Sequence, residues 1–171
     1  MVRFALDEEF PENILTSLTE GIPEAELVPI RLIHPRLRQM DDWKVLHSLH
    51  HLGEWDGLIT TDTNMLKLPK ELAVIHQTML TVVAVEDAGH DPIRAAGLLL
   101  VHLPMICKKT VRTTGQIWRL SAKDKNHEDP WDQLVNIAKH QNTSPQALFL
   151  ANRLSPQALR QNPLTELDFG R

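Results

Sequence analysis

"LTVVAVE", residues 80–86, decides the fold. The run is β-branched and apolar, with no polar residue at every second position. A strand half-exposed to water alternates apolar and polar residues. A continuous apolar strand fits a sheet covered on both faces, which is the signature of a parallel sheet. Working outward, residues 2–6, "AELVPI" (25–30) and "GLIT" (57–60) read as further strands, and "QIWRL" (116–120) as the last one. Helical patterns lie between them. Pro11 opens one that places Ile14, Leu15 and Leu18 on one side and ends at Gly21. Residues 41–52 form another, and Pro69 starts a third that runs to about His76. Asp91 caps a fourth, with Pro92 in its first turn and Pro104 at its end. "RLIHPRLRQ", residues 31–39, reads as a basic loop. Strands alternating with helices predict an α/β fold, a three-layer αβα sandwich on a mostly parallel central sheet.

The last ~50 residues differ in pattern. "WDQLVNIAKH" (131–140) is helical, and "SPQAL" occurs at 144–148 and again at 155–159. In each copy Ser caps and Pro starts a short helix. A period of 11 is too short for a solenoid unit, so these are two helix starts. The closing "NPLTELDFGR" (162–171) reads as a loose end. The predicted organisation is a domain over residues 1–122 followed by a short helical C-terminal extension, 123–171.

Composition narrows the function. The chain has 171 residues, 42% apolar and 23% charged, and a net charge of −4, so no general basic surface advertises nucleic acid. A nucleic-acid partner would need a local basic patch. Cys107 is the single cysteine, which excludes a disulfide framework and a Cys-rich zinc site. No apolar run approaches the ~20 residues of a membrane span, and the N-terminal stretch is far too short for a signal peptide. A cytoplasmic setting with no membrane partner is expected.

Two strands end on acids. "FALDEEF" (4–10) stops at Asp7, and "GLITTDTNM" (57–65) stops at Asp62. In parallel sheets ligands bind outside the carboxyl ends of the strands, so Asp7, Asp62 and the pair Glu86–Asp87 should gather at one edge. On the helix at 41–52, Val45, Leu46, Leu49 and Leu52 share a face with Asp42, while Lys44, His47 and His51 point to water. A carboxylate on a core-facing stripe is costly unless paired or capped. Two charges ~4 Å apart repel by about 4 kcal/mol at an effective dielectric of 20, so such a cluster calls for a proton or a cation. Hard oxygen ligands favour Mg²⁺ or Mn²⁺, and the matching chemistry is phosphodiester hydrolysis.

Taken together, "FALDEEFP", "MDDWKVLHSL" and "LITTDTNML" resemble the PIN-like nuclease domains, in a toxin-related branch, over about residues 2–120. The resemblance implies a parallel sheet flanked by helices. It implies a metal-dependent ribonuclease that cleaves single-stranded RNA to 5′-phosphate products, as the toxin of a toxin–antitoxin pair. By position, Asp7, Asp42 and Asp62 take the catalytic and metal-binding roles. An antitoxin protein and a second copy of the chain are the implied partners. The chain departs from the pattern at two points. Asp42 stands where Glu is common, and Asn64 where a fourth acid is common, with Asp87 and Glu86 as more distant candidates.

Arg31, Arg36 and Arg38 precede Asp42 and Lys67 follows Asp62, so they are candidate RNA-backbone contacts, with Lys70 nearby. His47, His50 and His51 stand at helical spacing but on the polar face, and read as exposed. Trp43, Trp55, Trp118 and Trp131 lack the spacing of a stacking platform and read as packing residues; Cys107 has no activating base beside it. Two other functions stay open. One is a non-catalytic interaction module. The other is a receiver-like phosphoacceptor switch, which shares the acids after strands one and three but calls for a Thr ending the fourth strand and a Lys ending the fifth, and "LTVVAVED" and "GQIWRL" do not end that way.

Overall fold

A computed structural model describes residues 1–165. In chain order the elements are β1 (Val2–Leu6), α1 (Leu15–Gly21), β2 (Ala25–Pro29), α2 (Ile30–Ile33), α3 (Asp42–Leu52), β3 (Gly57–Thr60), α4 (Pro69–Thr78) and β4 (Thr81–Val85). They continue with α5 (Pro92–Lys109), β5 (Gln116–Leu120), β6 (Lys125–Glu128), α6 (Pro130–His140), α7 (Pro145–Asn152) and α8 (Pro156–Arg160). The strands form one sheet in the order β2-β1-β3-β4-β5-β6, parallel except for the antiparallel β5–β6 pair.

Strand alternation divides the core into two layers. Ala5, Leu58, Val82, Ala84 and Ile117 face one cluster, with α3 and α4 supplying Val45, Leu46, Leu49, Leu72 and Ile75. Phe4, Leu6, Ile59, Val83, Val85, Trp118 and Leu120 face the other, covered by Leu18 of α1 and by Ala95, Leu99, Leu103 and Ile106 of α5. The β4 strand is buried along its whole length, as its apolar run requires. Gly57 marks the tightest backbone approach in the sheet. A Cβ there would lie 1.8 Å from the Thr81 carbonyl oxygen, so β3 and β4 pair in this register only with glycine at that point.

Four expectations change. QIWRL is not the last strand: "KNHE" forms β6, held by backbone pairing to β5, by Trp118 stacked on His127 with ring centroids 4.4 Å apart, and by Arg119 to Glu128 at 2.8 Å. Pro104 does not end α5, which runs on to Lys109 because Ile106 and Cys107 are buried against the sheet. That burial outweighs the ~3 kcal/mol an interior proline costs. The basic loop is instead α2 followed by a 3-10 turn over Pro35–Gln39. His47 does not face water: it is 4% exposed, and its Nε2 lies 3.1 Å from the Leu159 carbonyl. The C-terminal segment covers the side of α3 that the helical pattern assigned to solvent, whereas Leu52 at the helix end is exposed.

That segment is also part of the main core. Leu134, Ala138, Leu148 and Leu154 join the α3–α4 cluster, and both SPQAL copies start helices, with Ser144 accepting from the Ala147 amide and Ser155 from the Ala158 amide. Asn162–Thr165 form a turn whose Leu164 packs on the same cluster, while 166–171, the rest of the expected loose end, lie outside the described residues. Among the described residues no helix is long and apolar enough to cross a membrane.

Gln77 of α4 ties the two parts together. Its side chain donates to the Leu154 carbonyl and accepts from the Leu154 amide, both at 2.8 Å. Gln77→Ala leaves a buried peptide without partners, so urea unfolding should show a loss of about 1–3 kcal/mol in one cooperative transition. A loss below about 0.5 kcal/mol, the range of an ordinary surface change, would show that the C-terminal helices are only loosely attached.

Candidate active site

The β1 strand pairs with β2 on one side and β3 on the other, all three parallel. The crossover to β2 runs through α1 on one face of the sheet, and the crossover to β3 runs through α3 on the other. Connections leaving in opposite directions open a crevice at the carboxyl ends of β1 and β3, where doubly wound sheets bind their ligands. Asp7 follows β1 directly, Asp62 comes two residues after β3, and Asp42 is the first residue of α3.

All three line one cavity of about 140 Å³, together with Glu8, Glu9, Arg38 and the apolar Ile30, Leu37, Met40 and Val45. Thr60 organises it. Its fully buried Oγ1 donates to Asp7 Oδ2 at 2.8 Å and accepts from the Asp62 amide at 2.9 Å. The other Asp7 oxygen accepts from the Glu8 amide at 2.8 Å, and Asp62 Oδ1 accepts from the Asn64 amide at 2.8 Å. Thr60 was missed in the sequence. The signal was there: a hydroxyl at the end of an apolar strand, on the same side as Leu58.

The electrostatics are those of crowded like charges. Burial pushes the Asp7 carboxyl up from its ordinary range, against the opposing hydrogen bonds from Thr60 and Glu8, with Asp62 and Glu8 adding to the rise. Burial, then the charges of Asp7, Asp62, Glu71 and Asp41, raise Asp42 from the ordinary 3.8 to about 6. Glu71, 6% exposed on α4, is itself raised by burial. Among the described residues no salt bridge reaches Asp7, Asp42 or Asp62. The nearby arginines are engaged by glutamates: Arg38 with Glu8 at 2.8 Å, and Arg31 with both oxygens of Glu12 at 2.7 and 2.5 Å. Both line an adjoining cavity of about 280 Å³ that includes Asp7.

Other candidates lie elsewhere. Arg36 Nη1 donates to the Leu164 carbonyl at 2.8 Å and so faces the C-terminal turn. The Asn64 side chain accepts from Lys67 Nζ at 3.3 Å, and neither residue lines the acid cavity. Lys70 lies over the Trp43 ring, 4.7 Å from its centroid. Glu86 and Asp87 do end β4 at the same sheet edge, but they turn toward Arg119 at 3.9 Å and Arg94 at 4.0 Å. Trp55 and Trp118 are buried and Trp43 and Trp131 pack on the core, as expected of packing residues.

Among the described residues no three His, Cys, Asp or Glu side chains converge tightly enough to close on one ion. The donor chemistry nonetheless fits Mg²⁺ or Mn²⁺. The oxygens are hard and the charge uncompensated, and Mg²⁺ keeps several waters while taking only one or two carboxylates directly. Comparison with family models, curated proteins and solved structures returned no match.

A pH dependence follows. A carboxyl whose value is raised on folding stabilises the fold least when it is ionised, so stability contributed below the unfolded value is lost as pH rises through the folded one. Asp42→Asn, melted in EDTA, should exceed the wild type by most at pH 7.5. The gap should close as pH falls through about 6 toward 4. A gap independent of pH would mean that Asp42 is not strained by its neighbours.

Proposed function

We propose that the protein is a metal-dependent endoribonuclease of the PIN-like kind, hydrolysing phosphodiester bonds of single-stranded RNA. The observation that carries this reading is the set of three carboxylates, Asp7, Asp42 and Asp62, in one cavity at the strand-reversal crevice with no salt bridge to any of them among the described residues. Half-buried like charges without a cationic partner are held only at a cost, and a divalent cation removes it. Asp7, Asp42 and Asp62 would hold Mg²⁺ or Mn²⁺. Bound there, the ion neutralises phosphate oxygens and lowers the pKa of an attacking water.

The chain's own residues supply the rest. Thr60 fixes the rotamer of Asp7 and the backbone at Asp62, so two of the acids keep one geometry. Arg31 and Arg38 sit beside the acids in exposed pairs with Glu12 and Glu8. Pairs of that kind are worth about 0–1 kcal/mol, so either guanidinium can exchange its glutamate for an RNA phosphate at little cost. A toxin's role, with an antitoxin protein or a second copy as partner, belongs to the same proposal.

A second reading is favoured by one observation. The order β2-β1-β3-β4-β5, with Asp7–Glu8 after β1 and an acid after β3, is also that of receiver-like phosphoacceptor domains. Against it, β4 is followed by Glu86 and β5 by Ser121, where a Thr and a Lys are called for. Incubation with acetyl phosphate separates the two, because only a phosphoacceptor gains an acid-stable, hydroxylamine-labile phosphate on Asp62.

Cleavage of a diverse single-stranded RNA pool should require Mg²⁺ or Mn²⁺, stop in EDTA, and fall at least about a hundredfold in Asp7→Asn and Asp42→Asn, as loss of charge stabilisation at a reacting phosphate predicts. The thermal shift given by Mg²⁺ should shrink in Asp62→Asn, whereas the wild type gains about 2.7 kcal/mol at a hundredfold excess over the dissociation constant. RNA cleavage persisting in EDTA, or equal Mg²⁺ shifts in both proteins, would contradict the reading.

A further inference from the structure

A third cavity, of about 670 Å³, lies between the first half of α5 and the turn joining β5 to β6. Its size falls in the range of ligand pockets, roughly 300–1,000 Å³. The turn is rigidly held: Ser121 donates through its amide (2.9 Å) and its Oγ (3.1 Å) to the Asp124 carbonyl, and the Asp124 side chain accepts from the Lys125 amide at 2.7 Å. Lys123 and Lys125 are exposed and make no salt bridge among the described residues. Arg94 on α5 has only loose pairs, with Asp91 at 3.6 Å and Asp87 at 4.0 Å. The lining carries three cations, Arg94, Lys123 and Lys125, against one carboxylate, Asp124, in a chain of net charge −4. Its α5 wall is apolar, formed by Gly97, Leu98 and Val101, with Val101 69% exposed.

Gly97 is the second, independent sign. A glycine inside a helix costs about 1 kcal/mol against alanine. Such glycines usually answer a close approach, yet a Cβ at Gly97 would meet nothing within 4 Å. The fold does not need glycine there; its missing side chain opens the groove. His102, on the same wall, is held below the ordinary histidine range by burial and then by Lys125, against the opposing charge of Asp124. Cations beside an apolar wall suit a ligand that is itself part phosphate, part flat ring.

We infer that this groove binds one nucleotide unit of a single-stranded RNA, its phosphates on Lys123, Lys125 and Arg94 and its base against Gly97, Leu98 and Val101. The inference rests on the ribonuclease reading for the choice of RNA. Both sites open at the carboxyl edge of the sheet, two to three strand positions apart and toward opposite faces, the acids on the α3 side and the groove on the α5 side. The groove holds the strand while the acids act on a bond some nucleotides away.

The test is anisotropy of a labelled twelve-nucleotide single-stranded RNA with the full chain in EDTA, where metal-dependent cleavage is off. The wild type should bind saturably and lose affinity with salt. Gly97→Leu, which fills the groove and favours the helix, should melt no lower than the wild type yet bind at least tenfold more weakly. Lys123→Glu with Lys125→Glu should do the same. No saturable binding, or a folded Gly97→Leu that binds like the wild type, overturns the inference. Groove-dependent binding without any cleavage in Mg²⁺ would uphold the groove and sink the nuclease reading; cleavage untouched by Gly97→Leu would do the reverse.

Discussion

Parallel pairing of β1 with both β2 and β3 is the constraint on which the rest depends. It sends one crossover to each face of the sheet and brings the carboxyl ends of all five parallel strands to a single edge. Everything of chemical interest lies on that edge: the acids after β1 and β3, the arginines beside α2, and the cationic turn after β5. The next pairing, β3 with β4, tolerates no side chain at Gly57, whose Cβ would enter the Thr81 carbonyl. Backbone packing at the amino end of β3 thus fixes where Asp62 emerges at its carboxyl end.

At that edge the structure holds charge it does not neutralise. Two half-buried acids titrate upward from burial and mutual repulsion, and Glu71 lies behind Asp42 with the same tendency. A fold made only for stability would place a lysine or an apolar residue there. Thr60 keeps the arrangement ordered without relieving it, because its hydroxyl holds Asp7 and the Asp62 backbone but brings no positive charge. Strain of this kind marks functional sites more often than structural ones.

How much was legible follows from what each residue type reports. The buried strands were readable because β4 is apolar on both faces, and helix starts were readable where Asp91, Ser144 and Ser155 cap and a proline follows. β6 was not, because an edge strand of sequence KNHE is polar and is held by its partner strand, a ring stack and an ion pair rather than by its own propensity. Nor could helical periodicity reveal that Leu159 would lie over His47, since that contact spans 112 residues. The acids were found because each follows a strand or starts a helix. Arg36 was grouped with them by proximity in sequence, but the turn over Pro35–Gln39 aims it at Leu164 instead. Thr60 escaped because a threonine in a strand is ordinary until its partners are known.

The proposed function requires one divalent cation in the cavity lined by Asp7, Asp42 and Asp62, held by one or two carboxylates directly and by the rest through water. Crystals soaked in Mn²⁺ and measured at the manganese absorption edge test it most directly. An anomalous peak is expected in the cavity lined by these three carboxylates, lost in Asp42→Asn crystals grown the same way. A cavity without manganese at saturating concentration, or a peak there that is unchanged by Asp42→Asn, would contradict it.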